Sequence, residues 1–133
     1  MPRLSVWLVR ASFIYLTLGL FFGALILAEK GIPFYAPIWN LFPLHTEFLL
    51  VGWLIQLAMG VAFWIIPRFS RGESRGPERL VWFSFVFLNA GILFAAFQFW
   101  FPVALITGRI MEVIAWVLFI FGSWRRIKPH GAA

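Results

Sequence analysis

Four long apolar runs govern what this chain can fold into. A helix that crosses the hydrocarbon of a bilayer needs roughly 20 largely apolar residues. The sequence supplies such runs at about 5–28, 41–66, 78–100 and 102–124. They take up most of the 133 residues, of which 62% are hydrophobic, with 17 Phe and 8 Trp. A small soluble domain leaves too much of its surface in water to carry that load. The expected fold is an all-α membrane protein, one domain over 1–133, built as a four-transmembrane-helix bundle. Pro43, Pro77 and Pro102 lie near the starts of spans, where a missing backbone N–H costs little. Asn40 is placed to cap the second helix. The opening stretch MPRLSVWLVRASFIYLTLGLFFGALILAEK is longer than an ordinary signal core, so it is expected to be a retained first span.

The formal net charge of +6 does not point to nucleic acid, because the basic residues sit mostly in connectors between apolar runs. Arg3 and Arg10 precede or enter the first run. Arg68, Arg71, Arg75 and Arg79 lie in the connector PRFSRGESRGPER, and Arg125, Arg126 and Lys128 follow the fourth run. Lys30 and Arg109 alone lie toward the other side. The positive-inside rule then predicts both termini and the 67–79 connector on the cytoplasmic side of an inner (cytoplasmic) membrane. The connector EKGIPFYAPIWNLFPLH is expected outside, with Phe34, Tyr35, Trp39 and Phe42 in the headgroup layer. The absence of Cys excludes disulfides and thiolate metal sites. The tail KPHGAA reads as a frayed end with a solvated His130.

In lipid, helices associate through small residues and polar contacts rather than hydrophobicity. Each run carries such a stripe. The first has Ser12, Gly19 and Gly23, the third Ser84, Gly91, Ala95 and Gln98, and the fourth Gly108, Glu112, Ala115 and Gly122. In the second, Gly52, Gln56 and Phe63 fall within about 20° of His45 at helical pitch. That face is expected to point into the bundle, with Gly60 close to it. The glycines either pack against a neighbouring helix or leave clearance for a flat cofactor. Glu47 falls on the opposite face and is expected at the water line.

Three groups bear chemistry. His45 is either an interfacial histidine or a metal ligand. Arg109 and Glu112, three apart in the fourth run, either neutralise each other or serve a cofactor on the outer side. In the second reading Arg109 pairs with a haem propionate and Glu112 orients His45 through its second ring nitrogen. Met111 is either lipid-facing or a soft axial ligand, on a face one step from that of Glu112.

The stretch LHTEFLLVGWLIQLAMGVAFWIIPR resembles the second helix of subunit I of haem-copper oxidases, especially the cbb3-type and nitric-oxide-reductase-like members. The matching residues are Leu44, His45, Gly52, Trp53, Gly60, Trp64 and Pro67, and the likeness extends over about half the chain. It implies that His45 ligates a low-spin haem b. The family's partner histidine, and its histidines for copper and the high-spin haem, come from later helices that this chain lacks. No copper is therefore expected, and no binuclear reduction of oxygen or nitric oxide.

These readings lead to an expected four-helix haem b protein that transfers electrons or senses a gas or redox state. His45 holds the iron near the outer face, Gly52 and Gly60 give clearance, and Arg109 and Glu112 complete the surroundings. The sixth ligand is expected from a second His45 in a homodimer, from a partner subunit of a respiratory complex, or from Met111. The alternatives are a cofactor-free accessory subunit of such a complex and a small four-helix transporter.

Overall fold

A computed structural model describes residues 1–67, 77–99 and 101–127. Arg68, Arg71, Arg75 and Lys128, which entered the charge argument, and His130, read as solvated in a frayed tail, lie outside the described residues. Helix α1 runs Arg3–Gly31. A 3₁₀ segment, Ala36–Leu41, leads into α2, which spans residues 42–65. Helix α3 is Glu78–Ala96, extended by a 3₁₀ turn Phe97–Phe99, and α4 is Pro102–Trp124. All four are long and apolar enough to cross a bilayer, and no strand occurs among the described residues. The first helix begins earlier and ends later than expected, because no proline lies within it between Pro2 and Pro33.

Helix α2 is not uniform. It is α-helical over Phe42–Glu47, widens to π-helical turns over Phe48–Ile55, and returns to α-helix over Gln56–Ile65. Such widened turns are uncommon and frequent at functional sites. Pro43 sits in the first turn, where its missing N–H is harmless. Asn40 does not cap the helix: it belongs to the 3₁₀ segment, and no side-chain cap bond forms there.

The chain folds as two antiparallel hairpins. In the first, α2 lies against α1, with Gly23 opposite His45, Gly52 opposite Tyr15 and Gly60 opposite Leu8. In the second, α3 lies against α4, with Gly91 opposite Glu112, Gly108 opposite Ala95 and Gly122 opposite Val81. Apart from Gln98, which borders an open cleft, the expected stripes lie at the contact faces, because small side chains let backbones approach where lipid offers no hydrophobic drive. Ser84 on the α3 stripe also donates 2.6 Å to the carbonyl of Ala115. Between the hairpins lie two buried clusters. One gathers Tyr15, Phe48, Val51, Met59, Leu88, Ile92 and Ala115, and the other Leu4, Leu8, Phe63 and Val81. Outside, apolar side chains face away from the protein on every helix, among them Phe21, Leu50, Phe83, Ile106 and Phe121. A continuous apolar exterior of this kind suits a lipid surrounding.

The closest approach to backbone atoms is at Gly108. A Cβ added there would lie 2.7 Å from the backbone nitrogen of Ala95 and the backbone oxygen of Gly91. Backbone cannot yield as a side-chain tip can. Gly108→Ala is expected to cost about 1–3 kcal/mol by forcing α3 and α4 apart. Gly31→Ala, with nothing within 4 Å of the added atom, should leave stability unchanged. Thermal unfolding of both variants in detergent, followed by circular dichroism, checks the contrast. Equal midpoints would mean that the helices do not pack this closely.

Candidate functional site

His45 sits in the first turn of α2 and faces α1. Its Nδ1 lies 2.8 Å from the carbonyl oxygen of Gly19, and its ring edge rests over Gly23. Gly19 and Gly23 are one helical turn apart, and Gly23 has no side chain to keep the imidazole away. A carbonyl can only accept, so Nδ1 donates and carries the proton. In the neutral ring Nε2 is then left with the lone pair. This is the arrangement in which a histidine ligates a metal through Nε2 while a backbone carbonyl holds its other nitrogen. The ring of Phe42 flanks it at 6.3 Å between centroids.

The rest of the expected face also lies against α1. An added Cβ at Gly52 would meet Tyr15 at 2.6 Å, and one at Gly60 would meet Leu8 at 2.9 Å. The room left by both glycines is taken by the first helix, so neither borders an open slot for a cofactor. Phe63 and Gln56 are fully buried. The Gln56 amide has no hydrogen-bond partner among the described residues, and the buried indole nitrogen of Trp53 has none either. Buried amides left so are rare, because the desolvation penalty is not offset.

Glu47 corrects the sequence reading. It is not at the water line but buried, with 4% of its side chain exposed. Helix α2 is covered by α1 on one side and meets the second hairpin on the other, so the face opposite His45 is interior as well. There Arg109 reaches across from α4. Its Nη2 donates to Glu47 Oε2 at 2.6 Å, and its Nη1 donates to Glu47 Oε1 at 3.0 Å and to Glu112 Oε2 at 2.8 Å. The guanidinium is half-exposed, while both carboxylates are buried. The fork binds Glu47 through two parallel bonds, the geometry that favours arginine over lysine.

This cluster changes two expected roles. Arg109 already faces two carboxylates, so a haem propionate approaching it would meet local negative charge rather than a free cation. Glu112 is turned to Arg109 and packs on Gly91, whereas the ring nitrogen of His45 is held by Gly19. The structure thus brings Arg109 and Glu112 together, adds Glu47, and leaves His45 on the other face of α2. Met111 belongs to α4, which packs on α3, whereas His45 faces α1.

Two further polar side chains emerge from the structure. Glu29, buried near the end of α1, accepts from the backbone N–H groups of Phe34 and Tyr35, each at 2.8 Å. It fixes the connector that delivers the chain to α2. Arg126, buried just past α4, donates to the carbonyls of Phe63, Ile66 and Pro67 at 2.9, 2.6 and 3.1 Å. Its guanidinium also lies 4.7 Å from the centroid of the Phe63 ring. Pro67 stops α2 and leaves its last carbonyls without helical donors. That was the available signal for a cation at this end.

No family model matches the chain, and no curated protein or solved structure matches it. None of these comparisons links the chain to haem-copper oxidase subunit I. Among the described residues, no group of three or more His, Cys, Asp or Glu side chains could hold a bare metal ion.

Removing Arg109 would strand two buried carboxylates. Arg109→Met is expected to destabilise the protein by about 2–4 kcal/mol, allowing for the half-exposed guanidinium. The triple variant Glu47→Gln, Arg109→Met, Glu112→Gln should recover most of that loss, because it removes the charges together. Denaturation in mixed micelles checks both. If the single variant is as stable as the parent, the cluster does not join the hairpins.

Proposed function

We propose that this chain is an integral membrane haem b protein in which His45 is an iron ligand. The observation that supports the reading is the hydrogen bond between His45 Nδ1 and the Gly19 carbonyl, 2.8 Å long. It fixes the tautomer and leaves Nε2 as the donor atom for a metal. Haem b supplies one-electron exchange, or a place for a small gas where one axial position is open. The chain's own part is to hold the imidazole, exclude water along the apolar exterior and set the local charge.

Because α1 fills the space beside Gly52 and Gly60, a haem at His45 belongs on the outside of this hairpin, not within it. The second ligand then comes from beyond the chain: from His45 of a second copy, or from a partner subunit of a respiratory complex. The membrane is the cytoplasmic one, with both termini inside, and the end carrying His45, Glu29 and Arg109 faces out. This orientation follows from the basic residues near the opposite end.

The filled glycine faces favour a second reading, in which the chain is an accessory subunit without a cofactor. A difference spectrum separates the two. The purified protein, supplied with haem, should give a sharp alpha band on reduction, and His45→Ala should lose it while keeping its helix content. Glu47→Gln should retain the band. A colourless parent protein after haem supply would remove the haem reading and leave the accessory one. Full haem retention in His45→Ala would overturn the ligand assignment. The lack of native Cys makes orientation easy to test: Gly31→Cys should react with an impermeant thiol reagent on intact cells, and Arg125→Cys only after lysis.

A further inference from the structure

A cleft of about 560 Å³ opens between the 3₁₀ connector with the first turn of α2 and the last turn of α3. Its walls include Trp39, Asn40, Pro43, Leu44, Gln98 and Phe99. The imidazole of His45 is not among them, nor is any member of the Arg109 cluster. The volume falls within the range of about 300–1,000 Å³ in which small-molecule sites occur.

The lining specifies the chemistry. It contains no ionisable side chain, so a phosphate or ammonium group would lose its hydration with no counter-charge in return. Trp39 and Phe99 offer flat apolar faces of the kind that pack against rings. Asn40 and Gln98 supply two primary amides from opposite walls, each able to donate two hydrogen bonds and accept others. Neither amide makes a side-chain hydrogen bond within the protein among the described residues. The cleft lies where a connector meets the ends of spanning helices. On the membrane reading of these helices, that position is reachable by a ligand dissolved in the bilayer.

We infer that this cleft binds a neutral, flat, membrane-soluble ring with carbonyl oxygens at opposite ends, the chemistry of a quinone. The carbonyls accept from Asn40 and Gln98, and the ring packs on Trp39 and Phe99. The site does not depend on haem at His45, and its test uses no haem signal.

The experiment titrates menadione into the purified full-length protein in detergent and follows quenching of tryptophan fluorescence. Saturable quenching is expected in the parent. The double variant Asn40→Leu, Gln98→Leu should bind at least about tenfold more weakly, the loss expected for two hydrogen bonds of ordinary net strength. Ala96→Phe, which places a ring in the cleft, should abolish saturation. Quenching that rises linearly and equally in all three proteins is partitioning into the micelle and overturns the proposal. Where a variant loses helix content, photolabelling of the parent with an azidoquinone decides. Label within residues 37–44 and 96–99 supports the site, and label elsewhere overturns it.

Discussion

Two arginines, one in α4 and one just past its end, join the halves of this protein. Within each hairpin, glycines and serines let backbones touch. Between the hairpins, the strongest directional contacts come from Arg109 near one end of α4 and Arg126 just past the other. Arg109 grips Glu47 on α2, and Arg126 caps the last carbonyls of α2. The two lie 17 residues apart in the chain, roughly 25 Å along a helix axis, close to the depth of a hydrocarbon core. In lipid the gain from burying apolar surface is nearly absent, so charged clasps near the rims are well placed to set how one hairpin docks on the other. The clasps also fix the rotation of α2, and with it the direction in which His45 points.

That rotation divides α2 into two working faces. One carries His45, Gly52 and Gly60 against α1, and the other carries Glu47 toward the second hairpin. The π-helical turns over Phe48–Ile55 lie between the first turn, with its histidine and acid, and the inner half, with Gln56 and Phe63. Widening a helix adds residues per turn, so the two halves keep different angular registers.

Much of this architecture was legible from the residues. Run lengths located the four helices, and the small-residue stripes named the faces that meet, because both depend on properties of single side chains. Glu47 was misjudged for a different reason. Its angular position opposite His45 was right, but a helical wheel does not say how many neighbours a helix has. Once α2 is packed on both sides, opposite no longer means exposed. Arg126 was counted only as a topological charge, although Pro67 had already announced carbonyls in need of a donor. The clearance assigned to Gly52 and Gly60 depended on what faces them, Tyr15 and Leu8, and such pairings follow from the docking of α1. The placement of Arg109 depended on Glu47 in the same way.

The arrangement bears on a haem ligand in a specific way. A second axial ligand from within the chain would have to come from the same side of α2 as His45. That side is bounded by α1, whose facing residues at this level are Gly19 and Gly23. Glycine has no side chain to offer a metal, and Met111 sits on α4 beyond the other face. The features that hold the imidazole so well, a carbonyl one turn from a glycine, are the ones that leave its free nitrogen without a ligand partner in its own hairpin. On the haem reading proposed above, the α1–α2 hairpin would present one ligand in fixed orientation. The other would come from whatever docks on that hairpin, so the axial chemistry would be a property of assembly.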